Sequence, residues 1–299
     1  MTTLNWFAAA SLAAALLPSL YAETHCPGNV ASIRPRFVER SIIVVPVRVN
    51  DLGPYDFVLD TAEQVTTIDP ALALDLHLKL EGTTRVTGAG FSTDAGYAHT
   101  ERLEAGTYSI KDSLILVHNL GQIQLTDRRV RGILGENFLE HFDLLIDYAH
   151  SLVCLDESGR MRDKVRGERL TLETPTTEVK NLPFTDPLLI WVRLPGRQLL
   201  LQLDSGINAP LLFHAGNESS RKDSLRSTGT DGMKRVYDVL PPQDIQVGTH
   251  SFHQIPFVVP ASPEKGSLDA KKIDGVLPTI LFQRVLISYA DRLAVLEPW

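Results

Sequence analysis

Two acidic triplets, Asp60-Thr61-Ala62 and Asp204-Ser205-Gly206, each end a run of alternating apolar residues, and a matching apolar-Gly signature follows each of them. Before the first triplet the chain reads Val47-Arg48-Val49, a turn spanning Asn50 to Pro54, then Tyr55 to Leu59. Before the second it reads Trp191 to Leu194, a Pro195-Gly196 turn, then Gln198 to Leu203. Both are strand-turn-strand patterns, with Phe57 and Leu59 on the face that Leu201 and Leu203 occupy in the second copy. Gly132-Ile133-Leu134-Gly135 then answers to Gly275-Val276-Leu277-Pro278. From Asp60 to Gly132 is 72 residues and from Asp204 to Gly275 is 71. Leu145-Ile146-Asp147-Tyr148-Ala149 answers to Leu286-Ile287-Ser288-Tyr289-Ala290. Self-similarity of this kind means that one structural unit occurs twice, each copy donating one carboxylate.

Each piece taken alone has a plainer explanation. A single Asp-Thr or Asp-Ser after a strand is usually a turn or a helix cap, and a single Gly-Ile-Leu-Gly is ordinary core and turn. Those readings do not produce the same features, in the same order and at nearly equal spacing, in both halves.

These residues resemble the aspartic peptidases of the pepsin and retropepsin type, in a two-lobed single-chain bacterial form. The resemblance covers most of the chain after the first few dozen residues. It rests on Phe57-Val58-Leu59-Asp60-Thr61-Ala62, on Leu201-Gln202-Leu203-Asp204-Ser205-Gly206 and on the two Gly-apolar-apolar segments. It implies an all-β, bilobed acid-protease fold in which two similar β-barrel-like lobes form a pseudo-dimer. Carried over residue by residue, it makes Asp60 and Asp204 the catalytic carboxylates, supported by Thr61, Ser205, Ala62 and Gly206. The hydroxyls of Thr61 and Ser205 would lock the two loops together. The implied activity is endopeptidase cleavage of a polypeptide held in extended form as an added strand between the lobes. No metal or other cofactor is implied.

The chemistry gives a reason for the pairing. Two carboxyls about 3 Å apart cannot both ionise cheaply, so they share a proton and their titrations separate. This family is itself a standard example of that behaviour. The ionised partner then serves as general base on a water held between them, and the protonated one polarises the scissile carbonyl.

The chain departs from the family at two points. The third triplet position is Gly in the family, where a missing side chain lets backbones approach closely, and here the first copy carries Ala62. The next position, commonly small or hydroxyl-bearing, holds Glu63 and Ile207. The alternative to an active endopeptidase is therefore a catalytically impaired homologue that binds peptides without cutting them. With no hydroxyl donor at those positions and an ionised Glu63 nearby, the optimum is expected at mildly acidic to near-neutral pH.

Gly clusters between triplet and signature mark hairpin tips. One is Thr87-Gly88-Ala89-Gly90, the other Thr228-Gly229-Thr230-Asp231-Gly232. By the resemblance Gly88, Gly90, Gly229 and Gly232 belong to flaps over the substrate; an exposed loop without function is the other reading of the second.

The remaining features set the context. The chain has 299 residues, 43% of them hydrophobic, enough for one or two sizeable cores. A formal charge of −7 without a dense basic stripe excludes nucleic acid as a partner. Residues 1–22 read as a secretory signal peptide, with an apolar run from Trp6 to Leu17 broken by Pro18, and an uncleaved membrane anchor is the alternative. Either way the lobes would face an extracytoplasmic space, secreted or in a bacterial periplasm. The expected organisation is a first lobe over 23–157, a solvated linker over 158–180 and a second lobe over 181–299, acting as a monomer. Cys26 and Cys154 permit a disulfide or two separate thiols. Asp69-Pro70 before Ala71 to Leu74 predicts a short helix with Asp at the N-cap. His250 and His253 lack companion ligands at metal-site spacing, and no Gly-x-Ser-x-Gly elbow is present.

Overall fold

A computed structural model of the chain describes residues 25–88, 91–174, 187–214, 223–228, 234–261 and 273–299. Residues 1–22, read as a signal peptide, lie outside them. The described residues form three sheets, of eight, nine and six strands.

The first sheet follows from the alternation in Ile42–Val49 and Leu52–Leu59, which pair antiparallel. Their turn is tighter than the sequence suggests. Asn50 and Asp51, both with positive φ (51° and 63°), make it alone, and Leu52 to Pro54 already belong to the strand. Asn and Asp tolerate this left-handed backbone better than other residues with side chains, and it matches the twist of a two-residue hairpin. In the second sheet Leu189–Leu194 and Arg197–Asp204 form the equivalent hairpin about Pro195-Gly196.

The repeat becomes geometry at the next step. Val130–Leu134 inserts beside Leu52–Leu59 in parallel, pairing Phe57 with Gly132 and Leu59 with Leu134, and is antiparallel to Thr67–Ile68 on its other side. Gly275–Pro278 does the same in the second copy. It pairs Leu201 with Gly275 and Leu203 with Leu277, then runs antiparallel to Leu211–Leu212. The registers coincide position for position. The signature glycines are required by this crossing. A Cβ on Gly132 would drive into the Phe57 ring, and one on Gly275 would meet the Leu212 Cα at 2.9 Å. Each triplet therefore leaves its strand where a later strand has been threaded beneath it.

The six-stranded sheet joins the halves. Asp143–Asp147 pairs with Leu152–Asp156 on one side and with Phe282–Ser288 on the other, and Phe282–Ser288 pairs with Leu293–Pro298. Inward-facing Leu144, Ile146, Val285 and Ile287 belong to a core continuous with both other sheets. The buried Asp147 accepts a hydrogen bond from Arg284 Nε at 2.7 Å across the halves.

The described residues of the stretch read as a solvated linker, 158–174, are not all solvated. Glu168–Thr171 pairs antiparallel with Leu293–Pro298 as the sixth strand, and Met161 and Val165 are buried. The density of charged residues from Arg160 to Arg169 hid two buried apolar side chains and a four-residue edge strand. Cys26 and Cys154 form a disulfide, which pins the N-terminal segment to Leu152–Asp156 within a small cluster containing Met161 and Val165. The predicted helix forms over Pro70–Asp75, with Leu72 N–H donating to Asp69 Oδ1 at 2.9 Å. His250 and His253 point to different acids, Glu168 and Asp244. No helix among the described residues is long and apolar enough to cross a membrane.

Candidate active site

Asp60 ends the first hairpin and Asp204 the second, and the fold brings their carboxyls into hydrogen-bond contact. Four buried hydrogen bonds fix the loops that carry them. Thr61 N–H donates to Ser205 Oγ at 3.1 Å and Ser205 N–H to Thr61 Oγ1 at 3.1 Å. Thr61 Oγ1 donates to the Leu203 carbonyl and Ser205 Oγ to the Leu59 carbonyl, each at 2.8 Å. The exchange is reciprocal, as a twofold axis between equivalent loops demands. Each hydroxyl fills both its donor and its acceptor role, and Thr61 and Ser205 are 2% and 1% exposed. Satisfied polar groups at this depth specify one geometry.

The two carboxyls are not equivalent. Asp60 Oδ1 accepts from the backbone N–H groups of Ala62 at 2.9 Å and Glu63 at 3.2 Å, whereas Asp204 Oδ1 accepts from Gly206 N–H at 2.7 Å. Burial raises both pKa values, that of Asp204 well above its ordinary value. At Asp60 the two backbone donors oppose that rise; at Asp204 the neighbouring Asp60 charge adds to it. Two backbone donors at Asp60 against one at Asp204 favour the charge on Asp60 and the shared proton on Asp204.

Two further carboxyls stand close by. Glu63 is half-buried, with Thr67 Oγ1 at 3.5 Å, and its pKa is pushed up to about 8 by desolvation and by the Asp60 charge. The sequence reading took Glu63 as an ionised neighbour. Its raised pKa leaves it mostly neutral at pH 7 instead, because burial and the Asp60 charge disfavour a second negative charge there. Glu136, 1% exposed, follows the first Gly signature, and its carboxyl is raised well above its ordinary range by burial and then by Asp60. Sequence reasoning passed over Glu136, although aligning the two Gly signatures sets it opposite Thr279.

Of the residues assigned to flaps, Gly88 ends the strand Gly82–Gly88, which pairs with Phe91–Ala105 in a long hairpin. Asp223–Thr228 and Lys234–Val239 pair as the corresponding hairpin in the second half. Gly90, Gly229 and Gly232 lie outside the described residues.

Residues 45–138, which contain the first triplet, the first hairpin tip and the first Gly signature, match a family described as Aspartyl protease. Over these residues the first lobe is similar to that aspartyl protease family. The second repeats the strand threading of that aspartyl protease lobe, as the coincident registers establish, so the chain has a bilobed, all-β acid-protease fold. Among solved structures the chain is similar to a retropepsin-like aspartic protease from Rickettsia conorii, at 17% identity and a TM-score of 0.30 over 42% of this chain and 86% of that one. No curated protein matches the chain.

Proposed function

We propose that the protein is an aspartic endopeptidase that hydrolyses peptide bonds with a water activated between Asp60 and Asp204. The observation that carries this is the joined carboxyl pair clamped by reciprocal Thr61–Ser205 bonds. Asp60, held ionised by two backbone donors, is the general base that takes a proton from the water. Asp204, protonated, donates to the oxygen of the scissile carbonyl as the tetrahedral intermediate forms. The proton gained by Asp60 then passes to the amine as the C–N bond breaks, and a diol hydroxyl returns its proton to Asp204, which restores the pair. Ala62 and Gly206 line the approach from each side. The proposed substrate is an extended polypeptide lying between the lobes under the Gly82–Ala105 hairpin, where backbone hydrogen bonding would hold it as an added strand. We also propose an extracytoplasmic location, for which the apolar start of the chain and the Cys26–Cys154 disulfide speak.

Cleavage of a broad peptide library by the purified chain, blocked by a statine-type transition-state analogue, is the test. If wild type cuts nothing but still binds the analogue or extended peptides, the protein is instead the impaired, peptide-binding homologue.

A further inference from the structure

We propose that Glu136 is a positioning residue for the Asp60 loop: as a neutral acid it ties that loop to the second lobe through Gln202. The inference rests on the dyad reading above.

Its basis is a break in the internal symmetry. Behind Asp204, Thr279 Oγ1 lies 2.7 Å from the Tyr148 hydroxyl and 3.4 Å from the Asp204 carbonyl. The twofold relation maps Thr279 onto Glu136 and Tyr148 onto Tyr289. Behind Asp60, then, a neutral hydroxyl has been replaced by a carboxyl. Of the charged groups acting on the buried Tyr289 hydroxyl, Glu136 acts most strongly.

Glu136 grips the Asp60 loop at two points. Its N–H donates to the Glu63 carbonyl at 2.7 Å. Its Oε1 accepts from Gln202 Nε2 at 3.3 Å, and the same Nε2 lies 3.2 Å from the Thr61 carbonyl. Gln202 belongs to the strand that ends in Asp204, so this bridge runs from the first lobe to the second and back. Gly135 makes the approach feasible, because a Cβ there would sit 2.5 Å from the Glu63 carbonyl oxygen. Among the described residues the titratable groups that shift the Glu136 carboxyl are Asp60, Glu140 and Glu63, all acids and none a cation. Glu136 Oε2 is buried without a hydrogen-bond partner among the described residues, a state far more costly for a carboxylate than for an acid.

The sign of the linkage follows. A carboxyl held protonated in the folded chain contributes stability that is fully present below its unfolded value and is lost as pH rises through its folded value. The experiment compares thermal melting of the full chain from pH 4 to 9 with Glu136→Gln, which keeps the shape and cannot ionise. The variant is expected to lose less stability with rising pH, by up to about one proton's worth of slope. It should also keep kcat within a few-fold of wild type. Glu136→Ala, which frees the loop, is expected to lower kcat roughly tenfold or more with KM little changed, and Gln should rescue it. Identical pH slopes for wild type and Glu136→Gln would mean that Glu136 is ionised in the folded chain and would overturn the proposal, as would unchanged kcat in a folded Glu136→Ala. Failure of the peptidase reading looks different: no variant cleaves, while the melting slopes still differ.

Discussion

Gly206 packs flat against the Asp60 carboxyl: a Cβ at 206 would lie 2.6 Å from Asp60 Cγ and closer still to one of its oxygens. The second triplet has no room for a side chain because the first lobe's carboxylate occupies the space. The equivalent position in the first triplet is 62, and there the chain carries a methyl group.

Gly206→Ala is accordingly expected to displace Asp60 and lower kcat by roughly 100-fold. Ala62→Gly should raise turnover without altering the sites of cleavage, at a cost of up to about 1 kcal/mol in stability from added freedom of the unfolded chain. Steady-state kinetics on one peptide, at a temperature where all forms are folded, measure both.

Asp60→Asn and Asp204→Asn are each expected to abolish cleavage, since neither carboxyl can both take and give the proton alone. Stability moves differently. Asp204 has a raised folded pKa, so its contribution is fully present only below the unfolded value of about 3.8 and is lost as pH rises through the folded value. At pH 7 the Asp204→Asn chain should therefore melt no lower than wild type, as calorimetry would record.

The pH-rate profile should carry an alkaline limb near pH 8. Below that value Glu63 is neutral and Asp60 holds the only charge; as pH rises through about 8, Glu63 ionises and sets a second charge beside Asp60. Glu63→Gln should move the limb to higher pH and leave the acid side in place. A profile unchanged by the substitution would assign the limb to another group.

Thr61→Val removes the hydroxyl but keeps the shape, leaving the Ser205 N–H and the Leu203 carbonyl without that partner. Urea unfolding should register a loss of about 1–3 kcal/mol for each buried group left unpaired. Thr61→Ser should recover most of it.

Reduction of the Cys26–Cys154 bridge, which spans 128 residues, should lower stability by about 2–5 kcal/mol. Melting curves with and without reductant measure this directly.

The strand pattern, the hairpins and the convergence of Asp60 with Asp204 were legible because a repeat reports itself twice. Alternation of Phe57 and Leu59, echoed by Leu201 and Leu203, places both pairs on one face whatever their partners. Glu136, Gln202 and Tyr289 were not legible, because what matters in them is burial without compensation, and that exists only once strands distant in sequence have met. Glu63 was noticed but given the wrong charge, since desolvation is invisible in a list of neighbours. The Arg160–Arg169 stretch misled for the opposite reason. Arg162 looks like a solvated cation, yet its guanidinium clamps Asp143 and Asp291.

The sheet shared by the two halves has a consequence for how such a chain arises and how it fails. Asp143–Asp147 meets Phe282–Ser288 along a full five-residue register. A first half made alone would present that edge bare, together with an unanswered Thr61 hydroxyl. A bare strand edge of this kind recruits another strand, and the partner that fits it best is a copy of the same half. Truncated translation products of this protein should therefore associate in pairs, re-enacting the duplication that the intact chain has made permanent.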